Sequence, residues 1–236
     1  MSKERHAHED ALNETEFDEL LDGAGTLTPP QNLEATFIIH LSGKLGMRIG
    51  EIAHLRRSWV DLEQGLIEVP SHEPCEKGRD GGLCGYCRRQ ANRTYENDPE
   101  NRDLDELLDS YWQPKTTAAE RAVPYTFDDE TRDVLTSFFE YYYEVPISVN
   151  TCRRRIKDAA EASELNRRIY PHALRATAAS QHAYKGLNIA SMKAMMGWEK
   201  LSTAEKYIRI SGGRTKRALL ELSSMLSMLL RERADL

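Results

Sequence analysis

Residues 171–207 read PHALRATAASQHAYKGLNIASMKAMMGWEKLSTAEKY and contain the most informative pattern of the chain. Apolar residues recur here at helical spacing. The predicted helices cover 172–184, 189–196 and 202–210. His172 and Arg175 lie three residues apart and therefore share one helix face. Trp198 comes soon after the second helix, and Tyr207 follows Trp198 by nine residues. The segment thus predicts a helical unit with four side chains that can take part in chemistry.

The rest of the chain is also predominantly helical. Capping residues and apolar spacing predict further helices over 15–23, 30–41, 48–55, 128–143, 150–163 and 214–233. Two short runs read as strands instead, at 65–70 and 121–124, and the second ends at a proline. A long polar insertion, 70–112, follows the first strand. The predicted architecture is mainly α with a small β-sheet, which is an α+β fold.

One more arginine, Arg48, lies in the segment GMRIGEI at 46–52, at the start of a predicted helix. Taken alone, it would be an ordinary helix N-terminus. However, Arg48, the His172–Arg175 pair, Trp198 and Tyr207 occur in an order and at separations that resemble the tyrosine recombinase family. That family includes the phage integrases and the chromosome-dimer resolvases, and the resemblance extends over 16–217.

This resemblance implies a recombinase catalytic-domain fold over 15–213 and a site-specific DNA recombinase activity. The enzyme would cleave and rejoin DNA strands through a 3′-phosphotyrosyl bond to Tyr207, with neither ATP nor a catalytic metal or other cofactor. Because the reference pKa of a phenol is about 10, Tyr207 needs help to attack, and we expect nearby arginines and His172 to favour the phenolate.

The resemblance also implies a role for each of the other motif residues. Arg48 and Arg175 would bind the scissile phosphate, for which bidentate and permanently charged guanidinium groups are suited. His172 would transfer a proton to or from the tyrosine. Lys115, just before the second strand, would be the general acid for the departing 5′ oxygen. Trp198 stands where most relatives have a second histidine, and its indole N–H can donate a hydrogen bond but cannot titrate.

Other functions are compatible with the same residues. A non-catalytic DNA-binding regulator could use the same scaffold, and a zinc-stabilised interaction module without a DNA role is a further alternative. A type IB topoisomerase would share the nucleophile chemistry but would relax supercoils without pairing sites. In the simplest alternative, Tyr207 is one of ten tyrosines and only packs in a helix.

The net charge of −6 initially argues against a nucleic-acid partner, because DNA binders neutralise phosphates with Lys and Arg. The carboxylates are concentrated in the first 25 residues and in 96–109, whereas arginine clusters occur elsewhere. We predict double-stranded DNA as the partner, with Arg153, Arg154 and Arg155 contacting it. No run approaches the roughly 18 apolar residues of a membrane span, and no secretory signal is recognisable. The sequence therefore predicts a cytoplasmic protein without a membrane partner.

Three of the four cysteines cluster within the insertion. His72, Cys75, Cys84 and Cys87 form two short chelating pairs joined by a Gly-rich loop, a spacing typical of a structural Zn²⁺ site. Asp80 or a water molecule could replace His72, and unligated reduced thiols are the alternative. Cys152 stands alone and is predicted to be a buried packing thiol.

The two ends of the chain are expected to differ in structure. Residues 1–14 are predicted to form a disordered tail. Residues 214–236 are predicted to form an apolar helix that packs within the chain or docks on a neighbouring protomer, because its many leucines exceed what a free end can expose. Relatives usually carry a separate helical core-binding domain before the catalytic domain. Three alternatives follow: a compact recombinase that lacks the clamp, an accessory DNA-binding protein that supplies it, or a chain that is a fragment. We also expect a homo-oligomer, a tetramer on DNA.

Overall fold

The structure is a computed structural model that describes residues 7–71, 73, 75–78, 81–108, 117–211 and 220. Its helices are α1 Glu14–Gly25, α2 Gln31–Gly43, α3 Ile49–His54, α4 Gly85–Asn97, α5 Leu104–Leu108, α6 Asp129–Tyr141, α7 Val149–Ala162, α8 Pro171–Tyr184, α9 Ile189–Met196 and α10 Leu201–Ser211. Its strands are β1 Val60–Asp61, β2 Leu66–Val69 and β3 Arg121–Pro124. They form one antiparallel sheet in the order β1-β2-β3. The predicted fold, mainly α with a small β-sheet, is confirmed.

Helix starts follow from side chains that satisfy the free backbone N–H groups of the first turn. Asn13 caps α1, Asp128 caps α6, Ser148 caps α7 and Asn188 caps α9, each through its side-chain oxygen. Apart from 214–233, which lies almost entirely outside the described residues, the predicted helices outside the insertion begin and end close to their expected residues. Helices α4 and α5, within the insertion, were not predicted.

The described residues form two hydrophobic clusters of unequal size. The larger one includes residues from α1, α2, α3, α6, α7 and the sheet. The smaller one consists of Ala179, Ala183, Met192, Met196 and Ala204, with Trp198 and Tyr207 packed against it. Helix α8 contributes to both clusters, since its first turn is in the larger and its second half in the smaller. The unit that carries Tyr207 therefore packs on the rest of the molecule through α8.

Part of the predicted N-terminal tail is ordered. Residues 7–10 form a 3₁₀ turn, and the N–H of buried Leu12 donates to Thr177 Oγ1 at 2.8 Å. Arg167 donates to the backbone oxygen of Asp10 at 2.7 Å. The expected disorder therefore does not extend over 7–14, because the 3₁₀ turn at 7–10 packs against α8.

Several predictions fall outside the described residues. These are the tail at 1–6, His72, Asp80, Lys115 and, apart from Leu220, the C-terminal helix over 214–236. Within the part that is described, no helix combines the length and apolar character needed to cross a bilayer.

Candidate functional site

One cleft brings together most of the residues that the sequence predicted to be catalytic. It has a volume of about 790 Å³ and is lined by residues from the starts of α3, α4 and α8, from α7, and from the segment around α10. The predicted residues that line it are Arg48, His172, Arg175, Trp198 and Tyr207. These residues are far apart in sequence, and the fold brings them into one cleft.

Arg48 is held at the N-terminus of α3 by a carboxylate and a carbonyl. Its Nη1 donates to Glu51 Oε1 at 2.9 Å, and its Nη2 donates to the carbonyl of Gly197 at 2.6 Å. Glu51 Oε2 also accepts from the Arg48 backbone N–H at 2.8 Å, which is the glutamate half of a capping box; the Arg48 side chain, which has no acceptor, instead donates to Glu51. These contacts orient the guanidinium at the cleft while its side chain is still 22% exposed.

Glu51 is the buried centre of this network, and the sequence analysis missed it. Arg121, at the start of β3, donates to both carboxylate oxygens at 3.0 Å. Burial alone would raise the pKa of Glu51, but the positive charges of Arg121, Arg175 and Arg48 lower it further than burial raises it. Glu51 is therefore a carboxylate at neutral pH. Its position three residues after Arg48 was a readable sign of the helix cap.

Arg175 lies almost entirely buried on α8. Its two terminal nitrogens donate to the backbone carbonyls of Gly46 and Met196. Gly46 has a positive φ of 68°, and a Cβ there would lie 2.4 Å from Met196 Sδ, so only glycine fits. Burial first, and then repulsion by Arg48, lower the pKa of Arg175 to about 9. The guanidinium is still charged at neutral pH.

Tyr207 stacks on Trp198 with ring centroids 5.4 Å apart and planes inclined by 12°. The Arg175 guanidinium carbon lies 5.9 Å from the Trp198 ring centroid. Burial raises the pKa of Tyr207, and the charge of Arg175 only partly opposes the rise. The expectation that its surroundings favour the phenolate is therefore not met in the protein without DNA, because desolvation outweighs the single nearby charge.

His172 lies exposed in the first turn of α8, where it lines the cleft beside Arg175. The cleft as a whole is cationic. Its lining includes five arginines and one lysine against two glutamates, in a chain whose net charge is −6. The lysine is Lys200. A cleft with this surplus of cations suits an anionic ligand.

The three arginines of α7 do not face the same way. Arg153 and Arg154 are exposed, and Arg153 lines the cleft. Arg155 is buried, and its Nε donates to buried Glu34 Oε2 at 2.6 Å. The prediction that Arg155 contacts DNA is therefore not supported, because helical periodicity turns every third or fourth residue toward the core.

The three cysteines of the insertion meet a histidine from α3. The Sγ atoms of Cys75, Cys84 and Cys87 lie 3.4, 3.6 and 3.3 Å from Nε2 of His54, and all four donor atoms lie within 4.8 Å of one another. All four residues are buried. Lys77, in the same loop, donates to the carbonyl of Ala53 at 2.6 Å. The insertion is thus folded onto the end of α3.

His54 is the metal-ligand candidate that the sequence analysis missed. Its Nδ1 makes a 2.8 Å hydrogen bond with the carbonyl of Gly50, which must accept, so Nδ1 carries the proton. Nε2 is then left with a lone pair toward the cysteines, as in metal-bound histidines. Hydrogen bonds from Cys84 and Cys87 lower the pKa of the Cys75 thiol. No spacing rule links His54 to cysteines more than twenty residues away, and only the fold reveals the cluster.

The model of the phage integrase family matches residues 10–213. No curated protein matches. The chain is similar to the solved structure of XerA recombinase, with a TM-score of 0.58 and 17% identity, over 89% of this chain and 64% of that one. It thus spans less than two thirds of XerA.

Two further structures show the same likeness. The Tn1549 transposon integrase, solved in complex with transposon right end DNA, has a TM-score of 0.60 and 17% identity, over 94% of this chain and 68% of that one. The catalytic domain of bacteriophage HP1 integrase has a TM-score of 0.52 and 16% identity, over 89% of this chain and 92% of that one. At such identities the likeness shows a shared fold.

Proposed function

The chain belongs to the phage integrase family, and from this premise we propose that it cleaves and rejoins double-stranded DNA at specific sites through a 3′-phosphotyrosyl bond to Tyr207. The observation that carries the proposal is the single cationic cleft in which Arg48, His172, Arg175, Trp198 and Tyr207 meet. The DNA complex of the similar Tn1549 integrase supports DNA as the ligand.

Arg48 and Arg175 bind the scissile phosphate in this proposal. A guanidinium has five N–H donors, and the hydrogen bonds described above use two of them in each arginine. The others are available to the non-bridging oxygens, whose negative charge grows as the five-coordinate phosphorus forms. Because both groups are fixed by protein contacts, little reorganisation is needed when DNA arrives.

The covalent step exchanges one phosphate ester for another. The Tyr207 oxygen forms a bond to phosphorus while the bond from phosphorus to the 5′ oxygen breaks. The phenol proton passes to His172, and Lys115 gives a proton to the departing 5′ oxygen. Trp198 holds the tyrosine ring by stacking. The energy of the broken phosphate ester is retained in the new tyrosyl ester, so rejoining by the reverse reaction needs neither ATP nor a catalytic metal.

The test of this step is a suicide-substrate assay with nicked DNA that carries the attachment site, the DNA sequence at which the protein recombines. We expect a denaturant-resistant protein–DNA adduct with the wild type and none with Tyr207→Phe. Tyr184→Phe is the matched control, since Tyr184 is exposed on α8 and away from the cleft. Its adduct yield should equal that of the wild type.

The alternative is a DNA-binding regulator that uses the same cleft without chemistry, and the raised pKa of Tyr207 is the observation that favours it. In that case the wild type would bind the attachment site with measurable affinity but form no adduct, and Tyr207→Phe would bind equally well.

The role of Lys115 has its own test. A substrate with sulfur in place of the 5′ bridging oxygen has a leaving group that needs no proton, because a thiolate is far more stable than an alkoxide. Lys115→Ala should therefore cleave ordinary DNA slowly and the sulfur-containing DNA at nearly the wild-type rate. Lys200→Ala is the control, because Lys200 lines the cleft. Selective rescue of Lys200→Ala instead would move the general acid to that residue.

We further propose that His54, Cys75, Cys84 and Cys87 hold a structural Zn²⁺ ion. With Zn–S near 2.3 Å and Zn–N near 2.0 Å, a tetrahedral site separates nitrogen from sulfur by about 3.5 Å. The observed separations of 3.3 to 3.6 Å fit that value. Four protein ligands leave no open position for substrate, so the ion would contribute folding energy and take no part in the reaction.

Metal content tests this site. Purified wild-type protein should contain one zinc per chain by elemental mass spectrometry, and Cys87→Ser should lose it. Cys152→Ser is the control, since Cys152 is a buried thiol outside the cluster, as predicted. Absence of zinc from the wild type after purification with added zinc would mean that the cluster consists of reduced thiols.

Assembly is the last part of the proposal. Strand exchange requires two DNA sites, so we propose that four protomers assemble on paired sites, with an accessory DNA-binding protein completing the clamp. Mass photometry of the protein with attachment-site DNA should show a tetramer at saturation. A monomer on each duplex under all conditions would contradict it.

A further inference from the structure

Helix α4, within the insertion, forms one wall of the cleft. Tyr86, Gln90 and Arg93 all line it and lie on one helix face. The Tyr86 ring packs against Gly50 in the first turn of α3, where an added Cβ would lie 2.7 Å from the Tyr86 hydroxyl oxygen. This contact places α4 directly beside the turn that begins at Arg48.

The placement of α4 depends on its first turn. Cys87 and Ala91 are the only residues of this helix that are buried. A helix of this length with so little apolar contact is marginal by itself. Its firm attachment lies at Cys84, which precedes the first turn, and at Cys87 within it, and both belong to the cysteine cluster. The Tyr86 ring, between them in sequence, has its centroid 6.1 Å from that of His54.

We infer that α4 is a metal-positioned DNA contact, in which Arg93 binds a backbone phosphate adjacent to the one held by Arg48. Seven residues of helix separate Tyr86 from Arg93, a distance of about 10 Å, which carries Arg93 from the Arg48 end of the cleft along its wall. The side chain of Arg93 is exposed and has no carboxylate within ion-pair distance among the described residues. This inference rests on the proposed DNA-binding function of the cleft and adds an element to it.

The test compares two arginines of the same helix by fluorescence anisotropy with a labelled double-stranded oligonucleotide. Arg93 lines the cleft, whereas Arg89 is exposed and does not. Arg93→Ala should weaken binding several-fold and reduce the slope of log K against log salt by about 0.9, the value for one lost phosphate contact. Arg89→Ala should leave both unchanged. Equal behaviour of the two variants would overturn the inference.

The metal dependence has a separate readout. Under conditions in which thermal melting shows that the metal-free protein is still folded, the effect of Arg93→Ala is measured in the Cys87→Ser background and after treatment with a zinc chelator. There Arg93→Ala should have no further effect on DNA affinity, because α4 is no longer held at the cleft. An undiminished effect would refute the role of the metal. Hydrogen–deuterium exchange on the wild type provides a check without substitution: DNA should protect residues 85–97, and unchanged exchange there would contradict the contact.

These outcomes are distinguishable from failure of the proposed chemistry. The binding comparison is made in the Tyr207→Phe background, where no covalent bond can form. A difference between Arg93→Ala and Arg89→Ala in that background, together with no adduct from the protein that retains Tyr207, would retain the DNA contact and reject the recombinase. An adduct without that difference would do the reverse.

Discussion

Helix α3 has a different site at each end: one is open to an external ligand, and the other is closed. At its N-terminus, Arg48 is fixed by protein contacts but keeps donors available for a ligand at the cleft. At its C-terminus, His54 is enclosed by three cysteines, with all four residues buried. The first site is preorganised and open, as binding an external anion requires. The second is closed, as a structural metal site requires.

The difference shows how position on an element decides what a residue can do. Glu51, between Arg48 and His54, is buried and neutralises part of the arginine charge, which would otherwise disfavour the packing of three guanidiniums. A substitution at the His54 end of this helix should change zinc content and stability, whereas one in the cleft at the Arg48 end should change DNA cleavage or binding.

The largest effect is expected at the closed end. His54→Ala should abolish zinc retention and destabilise the fold strongly, because a structural zinc contributes on the order of 10 kcal/mol. His72→Ala, the matched histidine variant, should retain one zinc per chain. Elemental analysis after dialysis against a chelator checks both. Loss of zinc from His72→Ala with retention in His54→Ala would restore the ligand that the spacing first suggested.

The next effect is at the open end. Arg175→Ala should reduce single-turnover cleavage by about 10² to 10³, the usual cost of one fixed donor at a developing negative charge, and leave zinc content unchanged. Arg168→Ala, another cleft arginine but an exposed one, should mainly weaken DNA binding. Thermal melting identifies any unfolding of the buried variant, and Arg175→Lys retains the charge if alanine unfolds it. Equal cleavage losses in Arg168→Ala and Arg175→Lys would contradict the assignment.

Glu51→Gln acts between the two sites. Removing this buried carboxylate should cost about 3 kcal/mol of unfolding free energy, because the arginines lose their partner. The folded-state pKa of Glu51 is below its ordinary value of 4.5. Its contribution is therefore present above pH 4.5 and is lost as pH falls through the lower folded value.

Denaturant titrations over a pH series measure this contribution. The stability difference between wild type and Glu51→Gln should be constant near neutral pH and shrink in acid. Glu161→Gln is the control, since the Glu161–Lys157 pair is exposed and an exposed ion pair contributes little to stability. A difference that does not change with pH would mean that Glu51 acts through shape alone.

The smallest effect is expected on α7, where exposed and buried arginines lie close together in sequence. Arg153→Ala should lower DNA affinity by less than about tenfold and reduce the salt slope, with no change in melting temperature, because Arg153 is exposed and lines the cleft. Arg155→Ala should instead lower the melting temperature, because buried Glu34 loses its partner. Anisotropy and thermal melting of both variants separate the effects, and a reversed pattern would mean that Arg155 reaches DNA.

Sequence could predict the open site far better than the closed one. Arg48, His172, Arg175, Trp198 and Tyr207 were found because helical spacing and a family resemblance place them in order. Their supporting contacts were not, because backbone carbonyls such as that of Gly197 have no sequence pattern.

The rest of the fold follows the same division. Strongly periodic helices were predicted with accurate ends, whereas α4 has few apolar residues and was missed. The cysteine spacing predicted a metal site, but the fourth residue of the cluster, His54, lies on another element and only tertiary packing brings it there. The direction of the Tyr207 pKa depended on burial, which no motif reports.

Identifying the tyrosine that is linked to DNA tests most directly whether Tyr207 is the nucleophile. The cleft contains three tyrosines, Tyr86, Tyr170 and Tyr207. The trapped adduct can be digested with protease and nuclease, and tandem mass spectrometry can locate the residual nucleotide. We expect a modified peptide that contains Tyr207. Modification of Tyr86 or Tyr170 instead, with Tyr207 unmodified, would contradict it.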